Sequence, residues 1–161
     1  MGTLAPAEVK RDLMFLLSQA SHVLMTELTA GLAELGISPR HYCVLSQGLP
    51  GDFTQIRLAE LCGLDKTTMV VTLDELEKAG LAERRPSSTD RRVRIVAVTA
   101  AGAQKVTDAE TVVARIYDDV LGALPDDERE PFLSGLLRLV SGRLSTPVAC
   151  ERPVRRRSPK A

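Results

Sequence analysis

Apolar residues recur at helical spacing along the first long stretch of the chain. From about Ala7 to Leu35, Leu13, Leu16, Leu17, Ala20, Leu24 and Leu28 share one face and predict a helix that Gly36 ends. Ser38-Pro39 supplies an N-cap followed by proline in the first turn, so a second helix is expected through Tyr42, Val44, Leu45 and Leu49, stopped by Pro50-Gly51. Thr54 caps a short helix from Gln55 to Cys62, with Ile56, Leu58 and Leu61 expected to face inward and Gly63 suited to the left-handed residue that ends it. Asp65 then caps a helix from about Lys66 to Ala79 that should bury Met69, Val70, Leu73 and Leu76 before Gly80. Strand patterning is confined to Leu81 to Arg85 and Val93 to Val98, separated by polar Pro86-Ser87-Ser88-Thr89-Asp90, which predicts a hairpin. Thr99 caps a long helix to about Leu121 with Val106, Val112, Val113, Ile116 and Val120 on its apolar face, although Gly102 weakens its first turn. A last helix spans about Asp126 to Leu144, and Pro131 within its first turns predicts a late start or a bend.

Two helical patterns broken at Cys62-Gly63-Leu64-Asp65 and followed by an arginine-bearing hairpin have the layout of a winged helix-turn-helix. That layout sets one helix where it can enter a DNA major groove while the hairpin reaches the flanking minor groove. The expected fold class is therefore mostly α with a small β-hairpin wing, a winged helix-turn-helix plus N- and C-terminal dimerisation helices. The corresponding segments are an N-terminal dimerisation helix at 7–35, a DNA-binding domain at 36–99, C-terminal dimerisation helices at 100–144 and a basic, disordered tail at 145–161. The dimer expectation rests on Leu13, Leu16, Leu17 and Leu24 with Leu133, Leu136, Leu137, Val140 and Leu144, apolar positions that a winged helix alone leaves without a partner.

Composition supports helices packed on helices: the 161 residues are 44% apolar but only 3% aromatic, without tryptophan. A net charge of zero and a pI near 6.7 look wrong for a nucleic-acid partner. The average hides an asymmetry. Between Glu83 and Arg94 five arginines face two acids, a local +3, whereas eight acids between Asp108 and Glu130 face two arginines, a local −6 expected to point away from DNA. No apolar run approaches the roughly 20 residues that span a bilayer, and the N-terminus lacks a signal-peptide order, so a cytoplasmic protein without membrane contact is expected. Cys43, Cys62 and Cys150 are far apart and form no metal-type pair, and two histidines without a third ligand fall short of a zinc set. No Ser/His/Asp set, phosphate loop or paired catalytic carboxylates stands at interpretable spacing, so neither an enzyme nor a cofactor is expected.

The order of elements from Val9 to Leu144 resembles the MarR family of transcription regulators. The wing carries the most specific likeness: Asp90-Arg91-Arg92, then Val93 to Val98, then Thr99-Ala100-Ala101-Gly102, is similar to the family's D-x-R, strand, Leu-Thr-x-x-Gly signature. Ile56-Arg57-Leu58-Ala59-Glu60-Leu61 with Thr67, Thr68, Val71, Leu73, Leu76, Glu77, Gly80 and Leu81 matches a second family pattern in register. The resemblance implies a homodimer on a pseudo-palindromic operator in double-stranded DNA, acting as a repressor that a small-molecule ligand releases.

Candidate DNA contacts follow from side-chain chemistry. Lys66, Thr67, Thr68 and Thr72 are the base-reading candidates of the helix after Asp65, since lysine can pair with guanine or phosphate and threonine offers a hydroxyl and a methyl. The resemblance makes Arg92 the minor-groove arginine and Asp90 the acid that orients it, with Arg91 and Arg94 on phosphate. Arg84 and Arg85 are phosphate candidates too, although arginines at the base of a hairpin can also pair with acids of a neighbouring helix. In similar proteins small aromatic or phenolic effectors bind between the dimerisation helices and the winged helix, which here includes Met14, His22, His41 and Tyr42. Two alternatives are a winged helix used as a protein-interaction module and a thiol-based redox-responsive regulator using Cys43 or Cys62, although peroxide-sensing relatives place their cysteine near the start of the first helix, where this chain has none.

Overall fold

A computed structural model describes residues 12–87, 90 and 93–146. The expectations for Arg91, Arg92 and most of the basic tail lie outside the described residues. The chain forms two compact units, Met1–Asp118 and Asp119–Ala161.

In the first unit, helix α1 (Leu13–Ala33) is capped by Asp12, whose side chain accepts from the Phe15 amide. Helix α2 (Pro39–Gly48) opens on a capping box, with Ser38 Oγ accepting from the His41 amide at 3.2 Å and His41 Nδ1 accepting from the Ser38 amide at 3.3 Å. Helix α3 (Gln55–Leu61) is capped by Thr54 and helix α4 (Lys66–Lys78) by Asp65, as their polar residues before apolar periods predict. Gly63 and Gly80, at φ of 62° and 71°, make the left-handed turns after α3 and α4. Strand β1 (Phe53–Thr54) was not legible in the pattern. It pairs antiparallel with β3 (Arg94–Val98), Phe53 opposite Val96, while β2 (Ala82–Pro86) pairs on the other side with Ala82 opposite Val98. Helix α5 (Ala100–Gly122) carries the chain onward.

The core of this unit gathers Leu32, Leu45, Leu58, Met69, Leu73, Leu76, Val96 and Val106, each at most 1% exposed. Burying one such leucine stabilises by roughly 2 kcal/mol. Ile56 and Leu61 do not join it. Ile56 is 71% exposed because α3 is only two turns long and turns Leu58 and Ala59 inward instead. Gly31 of α1 lets Val112 and Ile116 of α5 approach the backbone, and Lys105 Nζ donates to the Leu35 carbonyl at 3.0 Å, closing the end of α1 against α5.

In the second unit, α6 (Asp126–Ser141) starts at Asp126 without delay, with Pro131 inside the helix. The first turn carries Asp126, Asp127 and Glu128 at the positive end of the helix dipole, and Arg129 pairs with Asp126 at 2.8 Å while donating to the Leu124 carbonyl at 3.1 Å. These local contacts hold the start in place despite the donor that Pro131 removes. No residue of α6 is buried.

Candidate nucleic-acid interface

Helix α4 presents Lys66, Thr67, Val71, Asp74, Glu75 and Lys78 to solvent, while Met69, Leu73 and Leu76 enter the core. The first turn is organised by Asp65. Its Oδ1 accepts from the Thr68 amide at 2.9 Å and its Oδ2 from the Thr68 hydroxyl at 2.6 Å, and these hydrogen bonds hold the Asp65 carboxyl below the ordinary aspartate value. A depressed carboxylate stabilises its turn above the ordinary value of 3.8 and loses that effect as pH falls through the folded value. Hydrogen-exchange protection of the Thr68 amide should therefore be full at neutral pH and lost in acid, and Asp65→Ala should lose it at every pH. Persistent protection in that variant would show that the turn does not depend on the cap.

Thr68 is thus already engaged, and Thr72 is a correction. Thr72 is fully buried and its hydroxyl donates to the Thr68 carbonyl at 2.7 Å, so it offers no surface to a groove. The outward position one residue earlier is Val71, 47% exposed and four residues after Thr67, hence on the same face. The signal was present in the sequence as that i, i+4 spacing, but threonine chemistry drew attention to the wrong neighbour.

Arg84 is the second correction. Its backbone amide donates to Glu77 Oε1 at 2.6 Å, and its guanidinium ion-pairs with Glu77 Oε2, reaches Asp74 Oδ1 at 2.8 Å, the Val70 carbonyl at 3.2 Å and Gln55 Oε1 at 3.3 Å. This fork ties β2 to α4 and α3 rather than leaving a cation for phosphate. Arg85, half exposed, pairs with Asp52 at 3.0 Å, a surface contact weak enough for a phosphate to displace. Arg94 is exposed on β3. Asp90 is exposed, and its carbonyl accepts from the Val93 amide at 3.0 Å next to a Ser87 amide bond to the Val93 carbonyl at 2.9 Å, which closes the base of the wing tip.

The four effector candidates are not gathered into one cavity. Met14 and His22 are exposed on α1, Met14 at 71%. His41 is committed to the capping box and to Glu75 of α4. Because its Nδ1 accepts from Ser38, its Nε2 carries the proton and donates to Glu75 Oε2 at 2.8 Å. Tyr42 is half-buried, and burial together with Glu110 and Tyr117 of α5 raises its phenol above the ordinary tyrosine value. A cavity of about 400 Å³ lies instead between α3 and α4, lined by Ile56, Ala59, Leu64 and Met69 with Gln55, Glu60 and Lys66 at its polar edge. Among the described residues no cluster of histidine, cysteine, aspartate or glutamate could hold a metal ion, and no helix is long and apolar enough to cross a membrane.

The capped helix α4, the preceding helix α3 and a three-stranded antiparallel sheet define a winged helix-turn-helix fold. Residues 35–93 match the family model described as MarR family. The fold is similar to CouR from Rhodococcus jostii bound to p-coumaroyl-CoA, at 26% identity and a TM-score of 0.73 over 92% of this chain and 100% of that one. It is also similar to CouR bound to a 23-mer DNA duplex, at 27% identity and 0.77 over 86% and 99% of the two chains. A MarR-family protein of Mycobacterium tuberculosis in complex with p-aminosalicylic acid matches at 26% identity and 0.67 over 80% and 98%. These comparisons liken the chain to winged-helix transcription regulators of the MarR family.

Proposed function

We propose that the protein is a homodimeric repressor that binds a pseudo-palindromic operator and is released by a small aromatic or phenolic ligand. The observation that carries the DNA reading is the solvent-facing stripe of α4, Lys66, Thr67 and Val71, held beside the wing through Arg84. Lysine meets phosphate or guanine, and the threonine and valine methyl groups suit thymine. Arg92 is assigned to the minor groove, with Arg85, Arg91 and Arg94 neutralising phosphate. The dimer reading is supported by the apolar residues left uncovered on α1 and α6, among them Leu13 at 61%, Phe15 at 44%, Leu137 at 66% and Val140 at 56%. Two-fold symmetry would set the half-sites about one helical turn apart, roughly 34–36 Å. The ligand class is supported by the relatives solved with p-coumaroyl-CoA and p-aminosalicylic acid.

The test is fluorescence anisotropy of the protein against duplexes tiled across its own upstream region, at several salt concentrations and with random duplex as competitor. Competitor-resistant binding to one pseudo-palindrome, weakening steeply with salt, is expected. Arg92→Ala should raise Kd by about tenfold, worth about 1.4 kcal/mol, with the dimer intact by light scattering. Equal affinity for random DNA would overturn the operator reading, and unchanged affinity in the variant would overturn the wing assignment.

A further inference from the structure

The outward face of α4 carries an acid to which phosphate neutralisation gives no task. Thr67, Val71, Asp74 and Lys78 follow one another at i, i+4, i+7 and i+11, which sets them in one line along the helix, and all four are exposed. A carboxylate in the middle of that line is repelled by DNA phosphates, yet 62% of the Asp74 side chain is exposed. Its ion pair with Arg84 does not account for it. Arg84 already holds Glu77 through both its backbone amide and its guanidinium, and reaches Gln55 Oε1 at 3.3 Å and the Val70 carbonyl at 3.2 Å, so β2 is fastened to α4 and α3 without Asp74. The pair acts in the other direction. Arg84, with only 22% of its side chain exposed, is the fixed partner that holds Asp74 Oδ1 at 2.8 Å, while among the described residues Asp74 Oδ2 has no hydrogen bond or ion pair.

We propose that Asp74 reads a base: its Oδ2 accepts a hydrogen bond from the N4 amine of a cytosine in the major groove, and Arg84 is its positioning residue. This rests on the entry of α4 into that groove, proposed above. Cytosine follows from what each base presents. A carboxylate only accepts, and cytosine offers the groove a donor with no acceptor of its own beside it. Adenine sets its N7 acceptor next to its N6 donor, guanine presents two acceptors, and thymine presents an acceptor and a methyl group, so each of these meets the carboxylate with a repelling or apolar edge. Arg84 also offsets part of the negative charge that Asp74 brings towards the phosphates. In a symmetric dimer the contact occurs once in each half-site.

The test uses the full chain and the duplex that binds best in the tiling experiment, with each base pair of the two half-sites replaced symmetrically by the other three. For the unsubstituted protein, one C·G position per half-site should cost about tenfold in Kd when replaced. N4-methylcytosine at that position keeps its pairing with guanine but sets a methyl group where the groove-facing hydrogen was, and should cost as much, so the contact is probed on the intact protein as well. In Asp74→Ala all four base pairs and the methylated base should bind within about twofold at that position, with the penalties elsewhere unchanged. Asp74→Asn, whose amide both donates and accepts, should prefer adenine there. The same base preferences in the unsubstituted protein and Asp74→Ala would overturn the proposal, because Asp74 would then read nothing. An equal loss at every position would also overturn it, because Asp74 would then only hold the helix. An unsubstituted protein with no preference at any position would overturn the operator reading, and this assignment with it.

Discussion

Gly102→Ala is expected to destabilise the protein by about 2 kcal/mol or more, although alanine is by about 1 kcal/mol the better helix former. A Cβ at this position would sit 2.0 Å from the Leu81 carbonyl oxygen, 3.0 Å from its carbon and 2.8 Å from Val98 Cγ1. The first two contacts are with backbone, which cannot swing aside. That backbone is itself held, since the Leu81 carbonyl accepts from the Thr99 amide at 3.1 Å and the Leu81 amide donates to Leu76 at 2.9 Å. Thr99 fastens the same corner twice more, donating from Oγ1 to the Gly80 carbonyl at 2.8 Å and accepting the Gly102 amide at 3.0 Å. Relieving the clash therefore means moving the start of α5 away from the point where β2 leaves α4. Gly135→Ala is the internal control. That glycine also lies within a helix but has no atom within 4 Å of its added Cβ, so alanine there should stabilise by about 1 kcal/mol. Urea midpoints by circular dichroism should move in opposite directions. If Gly102→Ala instead rises with Gly135→Ala, the close approach of α5 to Leu81 is wrong.

Arg84→Met is expected to cost roughly 2–3 kcal/mol and to loosen the wing. Methionine keeps most of the stem volume but removes the guanidinium partner of the Glu77 carboxylate, of which 33% of the side chain is exposed and which keeps the backbone amide of residue 84, and it leaves the Val70 carbonyl without the Arg84 donor. Asp74, at 62%, is wet enough that its share is small. Arg84→Lys should recover part of the loss, because an ammonium can reach Glu77 but cannot reproduce a fork that also touches Val70 and Gln55. A double-mutant cycle with Glu77→Gln should show coupling of about 1 kcal/mol or more, and amide exchange in β2 should accelerate in Arg84→Met. Independent effects of the two substitutions would mean that the contact is decorative. Operator affinity should fall with the loosening even though Arg84 touches no DNA in the proposed complex, since α4 and the wing must address adjacent grooves together.

The helices of the first unit were legible because each carries its own punctuation. Ser38-Pro39, Thr54 and Asp65 satisfy orphan amides within three residues of themselves, and the glycines after α3 and α4 adopt conformations that their neighbours disfavour. Strand β1 escaped notice because two residues carry no period; Phe53 and Thr54 become a strand only when β3 arrives beside them, more than 40 positions later in the chain. The expected inward turn of Ile56 failed for a related reason, since apolar identity does not say which face of a two-turn helix the rest of the fold will cover.

At the candidate site, residue type and spacing determined that a capped helix, a basic hairpin and their connection would exist, because caps, turns and amphipathic periods are local physics acting over a few residues. Only the tertiary structure decided which side chains remain available to a partner. Thr72 was withdrawn into the core and Val71 set outside by the rotation of α4 on Leu73 and Leu76. Arg84 was turned inward by carboxylates on another element, and His41 was committed to Ser38 and Glu75. Each of these outcomes depends on the packing of segments distant in sequence, where the cost of an unpaired buried charge or an empty core position outweighs local preference, and a single chain read residue by residue does not contain those distances.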